Sequence, residues 1–437
     1  SLSKVRNLQS LIIEENNVTN PQLTKLLRFS PHLRVLRLAR VGMKEVPTST
    51  GKLIHLRHLD LSGNDFCVLP KSVKQLVHLQ SLDLSYCRNL KQLPREIGEL
   101  SNLFSLDLTH CGSLVTLPGE TSKLVKLRQL RLLWCWSLKQ MPIGLGNLTN
   151  LQSLDVFVAK QSSPSDVGGG LSELGTLNNL EGELNIFVHG RHCESSAANL
   201  QMKEKLAALR LHFISSLDES HEEVLEGLQP HADLTELRIR GYQGKALSKW
   251  MMKNQLHCSL PNLVKIEILD AKYCTHLCCF GRLPHLNLLS LWQLDSVEYI
   301  EEDEDAAPGN GEGISAVGPL FPSLRELSLE YIPKLKGWRR MSKDCRTTLP
   351  FPRLNALRLD GMGSEVVLDL LRGLLSLQTL KIYGCERLKE IPEWIDNLTS
   401  LEYLHIENCS KLMPLPKQIG NLPNLETIGI LRCPGAF

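Results

Sequence analysis

The sequence predicts an α/β solenoid of short parallel strands, and three observations predict it. The first is a phrase, Leu-x-x-Leu-x-Leu, that recurs along the whole chain. With Ile or Val allowed at its fourth and sixth positions, it starts 16 times: at Leu8, Leu33, Leu56, Leu79, Leu103, Leu127, Leu151, Leu206, Leu234, Leu263, Leu286, Leu324, Leu354, Leu377, Leu401 and Leu425. A seventeenth copy, Leu180 to Ile186, is stretched by one residue. The second is a beat of 24 residues between positions 79 and 156, where the phrase reads LQSLDL, LFSLDL, LRQLRL and LQSLDV. The third is an apolar-Pro step in the return half of seven units: Val46-Pro47, Leu69-Pro70, Leu93-Pro94, Leu117-Pro118, Met141-Pro142, Ile391-Pro392 and Leu415-Pro416. A period of roughly 20–29 residues carrying this phrase marks a stack of like units.

Each element follows from these residues. Slots one, four and six of the phrase are apolar, so the alternation over slots four to six makes a short strand and turns the intervening residues to the other face. Proline lacks an N–H and disfavours helix in the residue before it, so each return arc begins extended. Segments such as Arg95–Leu100 can then make a short helical turn. No unit can bury its leucines alone, so stacking supplies the core. The expected architecture is a leucine-rich-repeat horseshoe, with about 17 short parallel strands on the concave face and irregular or short helical arcs on the convex face.

Length alone, 437 residues, would suggest about three globules; the repeat predicts one elongated domain over 1–437. Its repeats are regular over about 33–156, irregular over about 157–353, and regular again over about 354–437. A formal charge of +2 gives no global electrostatic case for nucleic acid or a membrane surface. No run of 18 apolar residues and no signal peptide is present. The opening Ser1, without Met, reads as the start of a fragment or processed product.

Thirteen cysteines suggest metal or disulfide chemistry until they are placed on the repeat. Cys87, Cys111, Cys135, Cys385, Cys409 and Cys433 all occupy slot nine, where Asn64 sits in its own unit. Successive slot-nine side chains should stack in a buried column, and strand spacing does not favour disulfide geometry. Cys67 is expected in an apolar slot of the arc. Cys274, Cys278 and Cys279 with His276 are dense, yet no second CxxC pair completes a zinc ligand set. Many unpaired cysteines favour a reducing, cytoplasmic compartment. No metal and no cofactor is predicted. Phosphate-loop, zinc-protease and nucleophile-elbow patterns are all missing, so a non-catalytic role is expected.

Three stretches break the beat. Val158–Gly170 and Gly190–Ala198 read as loops, and the insertion between Leu294 and Phe321 carries the acidic run Glu301–Asp305. That run is a solvated loop or an acidic contact arm for a basic partner.

Candidate binding residues sit on the strand face. Slot five holds Arg37, Asp60, Asp83, Asp107, Arg131 and Asp155, later Arg210, Arg238 and Glu267, and finally Arg358, Lys381 and His405. The aspartates either satisfy neighbouring backbone groups or form an acidic stripe. Tyr86, His110 and Trp134 occupy slot eight of three successive units, and Trp136 follows in slot ten. Trp292, Tyr331, Tyr383 and Tyr403 lie further along. Exposed Trp, Tyr and Arg are the usual anchors of protein interfaces, so this row points to a protein partner. Trp250, Trp338 and Trp394 lie outside the phrases and are assigned to packing. Arg34, Arg37, Arg40 and Arg57 form a basic cluster in the first units.

Several phrases carry a narrower resemblance. They are Leu33-Arg-Val-Leu-Arg-Leu38, Ile54-His-Leu-Arg-His-Leu-Asp-Leu61, Leu90-Lys-Gln-Leu-Pro94, the stretch from Gly169 through Leu184-Asn-Ile186, Gly281-Arg-Leu-Pro-His-Leu286, and Phe321-Pro-Ser-Leu324. With these, the chain resembles the leucine-rich-repeat domain of plant intracellular nucleotide-binding immune receptors of the coiled-coil type. The resemblance implies a sensor that recognises a pathogen effector, or a host protein modified by one. It also implies restraint of nucleotide-binding and coiled-coil modules lying upstream of this chain. The arginine cluster would pair with an acidic motif on the coiled coil. A stand-alone repeat scaffold and an extracellular receptor ectodomain are the alternatives. The Leu-Pro arc, in place of the Gly-x-Ile-Pro of plant extracellular repeats, argues against the latter.

Overall fold

The computed structural model describes residues 8–15, 19–28, 30–160, 169–190, 195–214, 221–252, 255–301, 320–339, 351–372 and 374–436. The chain divides into two compact units, Ser1–Ala207 and Ala208–Phe437.

In the first unit, seven strands form one parallel sheet in sequence order: β1 (Ser10–Glu14), β2 (Val35–Ala39), β3 (His58–Asp60), β4 (Ser81–Asp83), β5 (Ser105–Asp107), β6 (Gln129–Arg131) and β7 (Ser153–Leu154). Their register repeats slot for slot. Leu59 pairs with Leu82 and Asp60 with Asp83, then Leu82 with Leu106 and Asp83 with Asp107. Slots one, four and six from Leu33 to Leu132 are almost wholly buried, so each leucine packs on its equivalents above and below. Burying one such side chain contributes roughly 1.5–3 kcal/mol, and the stack repeats that gain in every unit.

The prolines act as expected. Pro47, Pro70, Pro94 and Pro118 are extended, with ψ of 135° to 149°, and each leads directly into a five-residue turn. The turns are 3₁₀, not α. Each closes on an i→i+3 bond, as in Leu100 N–H to Ile97 O at 3.1 Å, and five residues are too few to propagate an α-helix. Gly98 is required in its turn, because a Cβ there would lie 2.4 Å from the Glu120 carbonyl oxygen of the following arc.

The Leu151 phrase breaks in two. Asp155 leaves the ladder and turns its carboxylate back, accepting the Leu132 and Leu133 N–H groups at 2.7 and 3.3 Å. Strand β8 (Val156–Lys160) therefore pairs with β9 (Gly182–His189) rather than continuing the first sheet. Val158–Lys160, expected in a loop, belong to this strand because Phe157, Val158 and Ala159 are buried. Gly169 pairs with Met141, and Ser195–Ala198 form a 3₁₀ turn. Residues 161–168 and 191–194 of those two expected loops lie outside the described residues.

In the second unit the parallel sheet again follows sequence order. It runs through β10 (Leu206–Phe213), β11 (Glu236–Arg240), β12 (Lys265–Leu269), β13 (Leu288–Trp292), β15 (Glu326–Glu330), β17 (Ala356–Asp360), β18 (Thr379–Tyr383), β19 (Tyr403–Glu407) and β20 (Thr427–Leu431). A separate pair, β14 (Tyr299–Glu301) with β16 (Gly337–Arg339), lies in the arcs. The described residues thus hold twenty strands against about 17 expected. The phrases gave the sheet strands, the break at Asp155 added one, and the arc pair added two. The acidic run beyond Glu301, at 302–305, and the side chain of Trp338 lie outside the described residues.

The slot-nine cysteines form the expected buried columns. Cys87, Cys111 and Cys135 each donate Sγ–H to the slot-six carbonyl of the preceding unit, at 3.3, 3.1 and 3.1 Å. Asn64 does the same through its side-chain amide, to Leu38 O at 2.7 Å. Cys67 corrects the expectation: it is exposed, and Phe66 fills the apolar slot beside it. Trp250 is buried and bonds Leu225 O, while Trp394 is half-buried with Arg372 6.0 Å above its ring.

Candidate binding surface

The strand face is built from slots three, five, seven and eight, and slot eight has a property of its own. In fourteen of the seventeen units its residue has a positive φ, including Arg40, Gly63, Tyr86, His110, Trp134, Gly241, Tyr331, Gly361, Gly384 and Asn408. The three exceptions follow Leu151, Leu180 and Leu206, where β8, β9 and β10 continue through the slot. A left-handed residue turns the chain out of the strand while keeping its N–H in the ladder. Tyr86 N–H reaches Thr109 O at 2.7 Å and His110 N–H reaches Leu133 O at 2.8 Å. Glycine and asparagine adopt this backbone readily, and other L-residues do so at a cost of about 1–2 kcal/mol. Three consecutive aromatic residues at such a slot are therefore unfavourable for folding alone.

Their side chains form one continuous row in the first unit. The rings of Tyr86 and His110 stack at 4.5 Å and 18°, and those of His110 and Trp134 at 5.6 Å and 15°. Trp136 continues the row, tilted, at 5.0 Å from Trp134. Tyr86 is 47% exposed, Trp134 44% and Trp136 72%. Stacking fixes the rings in place, and their outer edges remain open.

Beside this row runs the slot-five column. The Asp60, Asp83 and Asp107 carboxylates accept the N–H groups of Ser62, Ser85 and Thr109 at 2.9, 2.8 and 2.9 Å. The aspartates thus close the strand ends, and their second oxygens supply charge. Asp60 pairs with Arg37 at 3.0 Å and Asp107 with Arg131 at 3.6 Å. Burial pushes the Asp83 carboxyl above its ordinary range; the Ser85 bonds oppose this, and the charges of Asp60 and Asp107 add to it.

Of the basic cluster, Arg37 is held by Glu14 as well as Asp60, and Arg40 pairs with Glu15 at 3.1 Å. Arg34 and Arg57 are exposed slot-two residues with no ion pair among the described residues.

The second unit gathers the later candidates into a different cluster. The Arg358 guanidinium lies 4.5 Å over the Tyr383 ring, and Lys381 Nζ lies 5.6 Å over Tyr403. His405 joins both tyrosines, at 5.2 Å from Tyr383 and 6.2 Å from Tyr403. Slot-seven carboxylates brace the cations. Glu330 lies 2.9 Å from Arg358 Nε, off the line of a hydrogen bond, and Glu407 lies 3.3 Å from His405 Nε2. Trp292 and Tyr331 line a cavity of about 310 Å3 with Gln293, Asp295, Pro333 and Gly361. Gly361, at φ +64°, is needed there, since a Cβ would lie 3.0 Å from the Tyr331 ring. The Tyr331 hydroxyl bonds Asp360; that carboxylate's charge, before burial, raises the phenol above its usual range.

The bracing acids Glu330, Asp360 and Glu407 were not among the expected site residues, and Asp155, expected on the face in slot five, instead bonds backbone N–H groups. The left-handed slot was, however, signalled in the sequence by Gly63, Gly241, Gly361, Gly384 and Asn408 at one position of the phrase. Among the described residues, no group of His, Cys, Asp and Glu is arranged to hold a metal ion, and no helix is long and apolar enough to cross a membrane.

In-register parallel strands, proline-led arcs and a slot-nine ladder define a leucine-rich-repeat solenoid. A family model for a leucine-rich repeat region matches residues 71–338, more than half of the chain, and a general leucine rich repeat model matches 31–90. The chain belongs to the leucine-rich repeat family. Within that family it is of the plant resistance-protein type: residues 358–433 match the R13L1/DRL21 repeats. Over 249 residues it is 37% identical to the disease resistance protein RGA2 of Solanum bulbocastanum, covering 51% of this chain and 25% of that one. It is 35% identical over 178 residues to the putative disease resistance protein RGA1 of the same plant, covering 39% and 16%. A putative disease resistance RPP13-like protein 1 of Arabidopsis thaliana is 29% identical over 315 residues, covering 53% and 29%. The chain therefore spans less than a third of the length of each of these relatives.

Proposed function

We propose that this chain is the non-catalytic sensor surface of a plant disease-resistance receptor. The exposed strand face binds a protein partner, a pathogen effector or a host protein modified by one. The observation that carries this reading is the Tyr86–His110–Trp134–Trp136 row: open aromatic edges, fixed by ring contacts, with the first three residues on a backbone that favours glycine. Rigid aromatic anchors bury large area at little entropic cost, which is how a few residues dominate an interface. The Arg358, Lys381, Tyr383, Tyr403 and His405 cluster, with Trp292 and Tyr331, supplies a second contact region of mixed cationic and aromatic character.

In the full-length receptor the chain also restrains nucleotide-binding and coiled-coil modules. The exposed Arg34 and Arg57, with Arg37 and Arg40, are suited to an acidic partner there. Binding acts as a population shift, so the partner must favour the open receptor over the restrained one. The eleven free cysteines of the described residues support an intracellular, cytoplasmic setting.

The test is capture from infected tissue by the full-length receptor, with the wild type set against a Tyr86→Gly/Trp134→Gly variant. A partner retained by the wild type and lost by the variant supports the reading. Equal recovery of that same protein overturns it.

A further inference from the structure

The cavity beside Tyr331 occupies the same slots as the aromatic row but has a different chemistry. Slot eight reads Gln293, Tyr331 and Gly361 at β13, β15 and β17, where the first compact unit stacks Tyr86, His110 and Trp134. The Tyr331 ring thus stands between an amide and a glycine, with no second ring in its column to fill the space. Gly361 leaves that space open, since even a Cβ would lie 3.0 Å from the Tyr331 ring. The opening of about 310 Å3 is lined also by Trp292 from slot seven and by Asp295 and Pro333 from slot ten.

This lining holds a carboxylate and no cation. Asp295 is half-buried and makes no ion pair or hydrogen bond among the described residues. At Tyr331 the charge of Asp360 leads the causes that raise the phenol; Glu330 adds to it and Arg358 opposes it. The Arg358 guanidinium is engaged elsewhere, over the Tyr383 ring and beside Glu330. Lys334, next to Pro333, is exposed and does not line the cavity. An anion here would be repelled by Asp295, and an apolar group would strip that carboxylate of water without pairing it, which is costly. A cation would meet a carboxylate and two aromatic rings whose electron-rich faces attract positive charge.

We propose that this cavity receives an arginine side chain of the protein partner, its guanidinium paired with Asp295 and set against the Trp292 and Tyr331 rings. The proposal rests on the reading of the strand face as a protein-binding surface. The size fits: the volume lies at the lower end of the roughly 300–1,000 Å3 of small-molecule sites, which suits one side chain rather than a folded segment. The shape of the group fits as well. A guanidinium is planar, stacks on rings and offers forked donors to a carboxylate, whereas an ammonium is a compact point charge. The chain makes the same arrangement internally on the neighbouring strands, where Arg358 lies 4.5 Å over the Tyr383 ring and 2.9 Å from the Glu330 carboxylate.

The experiment is calorimetric titration of the whole chain at physiological salt with the end-capped peptide Ala-Ala-Arg-Ala-Ala. Two counterparts carry citrulline, of the same shape without the charge, or lysine at the centre. The chain's formal charge of +2 gives no general attraction for a cationic peptide. The arginine peptide should bind at least about fivefold tighter than the citrulline peptide and about threefold tighter than the lysine peptide. Asp295→Asn and Tyr331→Gly should each bring the arginine and citrulline peptides to within about twofold of each other. Both variants should fold: asparagine keeps the shape of a side chain that bonds nothing, and glycine suits the φ of +53° at Tyr331. Equal affinity for the arginine and citrulline peptides, an equally tight lysine peptide, or a preference that survives both variants would overturn the proposal. The peptides stand in for the partner, so failure here leaves the capture experiment on the aromatic row unaffected, and equal recovery there does not alter the preference measured here.

Discussion

Trp134→Gly and Trp134→Ala should separate backbone strain from ring contact. Trp134 has φ +67° and touches the His110 ring on one side and Trp136 on the other. Either substitution removes two ring contacts, each worth about 0.5–1.5 kcal/mol and at the low end here because Trp134 is half-exposed. Alanine keeps the left-handed penalty, so Trp134→Ala should lose about 1–2 kcal/mol. Glycine relieves about 1–2 kcal/mol of that penalty and returns about 0.5–1 kcal/mol through the entropy of the unfolded chain. Trp134→Gly should therefore stay within about 1 kcal/mol of the wild type and exceed Trp134→Ala by about 0.5–1 kcal/mol. This reverses the usual order. At Ser81, in extended β4, the glycine variant should instead be less stable than the alanine variant by about the same amount. Urea unfolding with matched slopes measures both pairs. An alanine variant as stable as the glycine variant at position 134 would refute the strained-backbone reasoning.

Much of this architecture was legible in the sequence, because a repeat aligns the chain with itself. Leu82, Leu106 and Leu130 share a slot, and sharing a slot meant sharing a register and a buried layer. The cysteine columns followed from the same alignment. Cys67 did not, because Phe66 beside it competes for the same space and alternation in the arc is weaker than in the strand. Asp155 was unreadable for a different reason. It occupies the slot of Asp83 and Asp107, and only three-dimensional placement shows its carboxylate replacing a ladder partner for Leu132 and Leu133. The aromatic row could be found from its slot; the stacking of its rings and its left-handed backbone required coordinates.

Other expectations follow from the same geometry. Burial pushes the Cys87 and Cys135 thiols up to about 12, so at pH 8 their thiolate fraction is about a thousandfold below that of an ordinary thiol. Native alkylation followed by mass spectrometry should label Cys67 and Cys258 and spare these two until urea is added; early labelling of Cys111 or Cys135 would contradict the column. Asp155→Ala should cost about 1–3 kcal/mol by leaving two N–H groups unpaired, and a loss below about 0.5 kcal/mol would show that the sheet break does not depend on this carboxylate. His212 has its folded pKa lowered from 6.5 to about 4, so the unfolded chain takes up a proton first as pH falls. The stability this contributes is present above about pH 6.5 and is lost towards pH 4, by about 1–2 kcal/mol after discounting for solvent screening. His212→Gln should flatten that part of the pH profile, and an unchanged slope would count against it.

The most direct test is the affinity of the full-length receptor for its captured partner, measured with wild type and with Tyr86→Gly/Trp134→Gly. Glycine suits both backbone positions, so the variant should remain folded while losing two of the row's aromatic anchors. A central aromatic anchor typically carries 2 kcal/mol or more, so the account predicts at least about a thirtyfold rise in Kd. A folded variant that binds with the wild-type Kd would contradict it.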